Sequence, residues 1–135
     1  MKINTADTWC SRFARIKNAW ESNGVLVCKC VTCGKIKECK ELECGHYVSR
    51  RHLATRYSEL NTHAQCTYCN QWKYGDPEKH ALYINQTYGE GTSEKLQQMS
   101  RDVSKVDEKL MALYYKELTN NLLKERGWYD LRWWK

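Results

Sequence analysis

Two Cys-x-x-Cys pairs constrain this chain more than any other feature. They are Cys30-Val-Thr-Cys33, followed by Gly-Lys, and Cys66-Thr-Tyr-Cys69. Thiolates two residues apart reach one metal ion from a single tight turn, where backbone N–H groups stabilise the sulfurs. Gly34 suits a turn that needs a positive φ. Four such ligands predict one tetrahedral Zn²⁺, closed and therefore structural, tying together Cys33 and Cys66 across 33 positions of chain. Cys28 competes with Cys30 for the first pair, and the alternative to any metal is a set of buried thiols. Cys10, Cys39 and Cys44 read as ordinary core or surface thiols. The metal reading presupposes a reducing compartment, because eight cysteines in a secreted chain would read as disulfides.

Composition is consistent with that reading. The 135 residues are 41% hydrophobic, enough for one domain with a modest core. One Pro and seven Gly exclude a disordered or collagen-like chain. No apolar run approaches the roughly 18 residues of a membrane span, and residues 1–7 lack a signal-like stretch. A cytoplasmic location and no membrane partner are the expectation. The net charge is +6, and the excess peaks in residues 25–80, with nine basic against six acidic side chains. That is where the cysteines and histidines sit, so a polyanionic partner is expected there.

Trp9, Phe13, Ile16 and Trp20 recur at helical spacing and predict a helix from Thr5, as its cap, to about Ser22. Val25–Cys28 and Ile36–Gly45 read as short strands. Residues 46–62 read as a loop with a second short strand, and Asn61–Lys73 as the start of a helix. Asp76-Pro77 opens a helix that Gly89 stops near Tyr88, and Thr92 or Ser93 opens the next. Leu96, Met99, Val103, Val106, Leu110 and Leu113 then form a heptad-like stripe on a helix reaching Gly127. Ser104 with Asp107 offers the alternative of a separate restart. The chain so divides into an N-terminal amphipathic helix (1–24), a zinc-stabilised core (25–76) and a helical region for DNA binding or dimerisation (77–135).

Between the cysteine pairs lies Glu43-Cys-Gly-His46-Tyr-Val-Ser-Arg50-Arg51-His52, followed by Asn61, His63 and, directly after Cys69, Asn70. A histidine titrates near neutral pH and suits general-base work. Asn70 would be held rigidly by the adjacent zinc ligand. Arg50, Arg51, Arg56 and Lys73 suit DNA phosphates, against the plainer reading of a solvated face. Tyr68 and Trp72 read as core before they read as base-stacking platforms. Trp133 and Trp134 could cover the core, bind a partner or touch DNA.

Cys-x-x-Cys-Gly-Lys, Gly-His-Tyr-x-Ser-Arg and Asn-x-His-x-Gln-Cys-x-x-Cys-Asn together resemble the HNH, or ββα-metal (His-Me finger), nucleases. More narrowly, the chain resembles the phage NinG/Rap recombination proteins over roughly residues 5–126. The resemblance implies an α+β fold, with a small zinc-bound ββα-metal core flanked by an N-terminal helix and C-terminal helices. It implies a metal-dependent, structure-selective DNA endonuclease. Such an enzyme hydrolyses branched recombination intermediates such as Holliday junctions and D-loops, in a bacterial host cytoplasm. By the same resemblance His46 is the general base, Asn61 holds the backbone around it, and Asn70 binds a catalytic Mg²⁺ or Mn²⁺. Many such enzymes have Asp before the base, where this chain has Gly45. Glu43, His52 and His63 are the candidates for that second ligand. Two other readings stay open: a nicking or restriction-type nuclease on ordinary duplex, and a non-catalytic zinc-bound DNA-binding module. Opposed cuts across a branch need two active sites, so a homodimer through the C-terminal stripe is expected. The alternative is that the stripe packs on Trp9, Phe13 and Trp20 within one chain.

Overall fold

The computed structural model describes residues 2–103 and 105–134. Helix α1 spans Thr5–Ile16, opened by Asn4, whose side chain accepts from the Asp7 N–H while Asp7 accepts from the Asn4 N–H. The cap is thus Asn4 and not Thr5. The helix also ends before Trp20, which belongs to strand β1 (Trp20–Ser22). Asn23 and Gly24, both at positive φ, close a two-residue hairpin turn onto β2 (Val25–Lys29), pairing Ser22 with Val25. Strand β3 (Ile36–Glu38) adds antiparallel to β2, giving a three-stranded sheet.

A 3₁₀ turn at Cys39–Glu41 leads to β4 (Glu43–His46), so the predicted Ile36–Gly45 strand is two strands in different sheets. A short helix α2 (Leu53–Arg56) interrupts the following loop. Strand β5 (Thr62–Gln65) pairs antiparallel with β4, His46 opposite Thr62 and Gly45 opposite His63. The first residues of the expected Asn61–Lys73 helix are therefore a strand, and helical backbone begins only after Cys66, in a π-helical turn at Tyr68–Trp72. Helix α3 (Pro77–Tyr88) has Pro77 in its first turn and Gly89 past its end. Helices α4 (Thr92–Met99) and α5 (Glu108–Arg126) follow, with a short 3₁₀ turn at Tyr129–Leu131.

The stripe from Leu96 to Leu113 does not lie on one helix. The backbone leaves helical geometry between α4 and α5, and Asp107 caps the restart by accepting from the Leu110 N–H at 3.0 Å. Ser104, the other half of that restart signal, lies outside the described residues. Helix α1 packs along α5 and against β4 and β5. Two apolar cores result. In one, Ala6, Cys10, Tyr57 and Tyr115 join Trp9, Phe13, Met111 and Leu118 between α1 and α5. In the other, Ile16, Leu26, Leu42, Ala64, Leu123 and Trp128 surround the cysteine region. Trp133 and Trp134 cover that second core, and Arg15 and Arg12 lie 4.9 and 4.8 Å over their rings. No helix among the described residues is long and apolar enough to cross a membrane.

Candidate metal centre and adjoining cleft

The first cysteine pair sits in the β2–β3 turn, where the Gly34 N–H donates to the Cys30 carbonyl at 2.9 Å and Gly34 takes φ 78°. The second pair sits where β5 enters the Tyr68–Trp72 turn. The Val31 N–H donates to the Ala64 carbonyl at 3.0 Å, which brings the two turns together. The sulfurs of Cys30, Cys33, Cys66 and Cys69 all lie within 4.8 Å of one another, and Cys33 and Cys66 are 3.8 Å apart. A tetrahedron with Zn–S bonds of about 2.3 Å has edges of about 3.8 Å, so the Cys33–Cys66 edge matches that ion and the other sulfur separations exceed that edge by at most about 1 Å. Cys28 is not part of it; its thiol turns back to the Lys29 carbonyl at 3.6 Å.

Electrostatics inside the quartet also call for a cation. Burial opposes ionisation of Cys30, but the Thr32 hydroxyl and backbone N–H groups outweigh it and draw the thiol down to about 6. Burial and then neighbouring thiols push Cys69 up to about 12. Four thiolates this close repel one another, and a divalent ion removes that repulsion.

Beside the quartet is a cleft of about 540 Å³ lined by Glu43, His46, Arg50 and Asn70 from the β4–β5 side, with Asp7 and Arg15 from α1. The His46 Nε2 lies 3.0 Å from the Arg56 carbonyl. A carbonyl only accepts, so Nε2 carries the proton and Nδ1 keeps the lone pair. Burial depresses the His46 pKa, partly opposed by that carbonyl, so the ring is neutral at pH 7. Asn61 is fully buried and staples the loop around His46. Its Oδ1 accepts from the Val48 N–H at 2.7 Å, and its Nδ2 donates to the Val48 and Thr55 carbonyls at 3.0 and 3.1 Å.

The Asn70 Nδ2 donates to the Glu43 carboxylate at 2.8 Å, and Thr67 and Gln71 also donate to it. Burial raises the Glu43 pKa, but these donors outweigh it and keep the group ionised. Gly45 has a physical reason. A Cβ there would lie 1.9 Å from the Gln65 Oε1, and Gln65 is fully buried, donating to Thr32 and to the Gly75 carbonyl. No aspartate fits at position 45; the Glu43 carboxylate, two residues earlier, lines the cleft.

Other residues singled out in the sequence lie elsewhere. His63, opposite Gly45, faces away from the cleft; it is buried with Nδ1 2.8 Å from His80 and Nε2 3.1 Å from the Tyr88 hydroxyl. Burial drives its pKa to about 2, so it stays neutral. His52 is exposed at the start of α2, outside the cleft. Arg56 does not face solvent. It is 5% exposed, and its fork grips Asp7 at 2.9 and 2.5 Å. Arg51 is exposed, and Lys73 is exposed with its Nζ 3.9 Å from Asp76. Tyr68 and Trp72, expected in the core, are 60% and 75% exposed. Sequence reasoning missed Gln65, Thr67, Gln71 and Asp7. Gln65 was visible only as the Gln of the Asn-x-His-x-Gln-Cys motif, with no role attached to it.

A family model described as the bacteriophage lambda NinG protein matches residues 1–125. The chain belongs to the NinG family. That NinG match takes in the whole cysteine quartet and every residue lining the cleft. No curated protein and no solved structure matches the chain.

Proposed function

We propose that this NinG-family chain is a metal-dependent DNA endonuclease of the HNH type, acting on branched recombination intermediates. One observation carries the reading: Glu43, His46 and Arg50, from one stretch of chain, meet Asn70, from the turn after β5, in one cleft. An antiparallel β4–β5 pair followed by the five-residue π-helical turn Tyr68–Trp72 supports this reading. In this reading His46 Nδ1 takes the proton of the attacking water, and the Arg56 carbonyl holds the ring's tautomer and orientation. Asn61 keeps the loop, and so the base, in place. Glu43 and Asn70 offer oxygen ligands for Mg²⁺ or Mn²⁺, hard donors of the kind such ions take alongside substrate phosphate. A cation held there would neutralise charge building on the phosphate and the leaving oxygen. Arg50 and Arg51 would position the backbone. The branched substrate rests on the family.

The test is cleavage of four-way, forked and linear DNA, with and without Mg²⁺, by wild type and His46→Ala. Branched DNA should be cut only with the metal, and His46→Ala should retain binding while losing roughly 10²-fold or more in rate. Binding without cleavage in Mg²⁺ or Mn²⁺ would favour the zinc-bound DNA-binding module instead.

A further inference from the structure

We propose that residues 68–74 form a stacking platform that reads unpaired nucleobases at the branch; this rests on the nuclease reading and names how its substrate is recognised. Tyr68, Trp72 and Tyr74 are 60%, 75% and 90% exposed within one short turn. Aromatic rings this exposed offer most of their faces to solvent. The same turn supplies Asn70 and Gln71 to Glu43, so the platform begins where the cleft ends.

The turn is held and not loose. The Gly75 N–H donates to the Cys69 carbonyl at 2.9 Å, and the Asp76 N–H to the Lys73 carbonyl at 2.9 Å. Tyr74 takes φ 53°, a backbone region that bulky residues rarely adopt and that is concentrated at functional sites. Its ring gains no packing in return. The charge suits nucleic acid: Lys73 Nζ lies 5.5 Å from the Tyr68 ring, and Arg51 is exposed in the loop after β4. Bases in duplex stack on each other and show only their edges. Unpaired bases present a π-face, which aromatic side chains bind with little regard to sequence. A platform beside a cleft would therefore select DNA by the availability of unstacked bases.

The experiment compares equilibrium binding of a duplex with a central unpaired bubble against the fully paired duplex, without added Mg²⁺. Trp72→Ala should weaken bubble binding roughly five- to a hundredfold and change duplex binding by less than about twofold. Its salt slope should stay as in wild type, whereas Lys73→Gln should lower the slope by about one. Trp72→Phe should keep most of the preference, with zinc content and circular dichroism showing the fold intact. A bubble-to-duplex ratio unchanged in Trp72→Ala and in Tyr74→Ala would overturn the platform, as it would if the rings served a protein partner. Cleavage by wild type alongside that result would sink the platform alone. A bubble preference carried by Trp72 in a protein that never cleaves would sink the nuclease reading alone. Wild type that binds no DNA would sink both.

Discussion

The cysteine-bearing hairpins and the α1–α5 helix pair are held by different means. Around β4–β5 a run of buried polar groups, Asn61, Thr62, His63 and Gln65, lies beside the apolar core, and four thiols converge on one point. Between α1 and α5 the contact is apolar and aromatic, with Phe13 and Tyr115 rings 5.9 Å apart. Apolar packing tolerates small shifts, since it is non-directional. A polar core does not, because each buried donor and acceptor needs its partner. That rigidity suits the region that positions His46, Glu43 and Asn70.

The sharpest way to break this comparison is to remove the metal. Cys66→Ser, or chelation of wild type, should cost roughly 10 kcal/mol of coupled folding free energy and unfold the hairpins. Zinc content measured together with circular dichroism checks this. A variant that loses zinc but keeps wild-type structure would show that the polar core stands without it.

Next in size is the seam between the two regions, where Asp7 of α1 meets Arg56 of α2. Asp7→Asn would leave a buried guanidinium without its counter-charge and should destabilise by about 3–5 kcal/mol in urea titrations. Burial raises the Asp7 pKa, but Arg56 and the Asn4 N–H outweigh it and hold the carboxyl below its ordinary 3.8. The pair's stabilisation is therefore fully present above that pH and is lost as pH falls through the depressed value. Wild type should lose stability on that descent, and Asp7→Asn should show a flatter profile.

These two regions also differ in how legible they were in the sequence. The quartet was readable because thiolate spacing is a local geometric demand, and the α3 boundaries because Pro77 and Gly89 act locally. Strand β5 was not, since Thr-His-Ala-Gln buries both faces and so shows no alternation. Strand β1 was hidden because Trp20 happens to continue the helical period of α1. Asn23-Gly24 was the available signal, a dipeptide that favours a two-residue hairpin. Arg56 was misplaced because its burial depends on Asp7, 49 positions away. The break before α5 carries neither Gly nor Pro, and the Ser104–Asp107 restart signal, with Asp107 as the cap, was its mark in the sequence.

A smaller effect sharpens the account of the polar core. Gly45→Ala puts a methyl group onto the Gln65 side chain and should destabilise by about 1–3 kcal/mol, typical of overpacking. Gln65→Ala should also destabilise, through lost hydrogen bonds. The two together should cost less than their sum, because the second removes the obstacle the first meets. A double-mutant cycle by denaturation measures that coupling, and strict additivity would mean Gln65 is not what excludes a side chain at position 45.

The smallest expected effect lies on the helices. Leu96 is buried within the chain and Val106 packs against the α1–α5 core, so neither is free to form a two-fold contact. Of the α5 part of the stripe, Leu110 and Leu113 remain, 56% and 64% exposed. In a monomer, Leu110→Glu with Leu113→Glu should change folding free energy by within about 0.5 kcal/mol, as surface substitutions do. The midpoint should not move with protein concentration. In a dimer paired through α5, the same substitutions would bury two carboxylates at an apolar contact. Stability would then fall by several kcal/mol and wild-type Tm would rise with concentration. Thermal unfolding over a hundredfold concentration range separates the cases. The monomer outcome is expected because a two-fold seam needs a continuous apolar surface, and the turn between α4 and α5 divides this one.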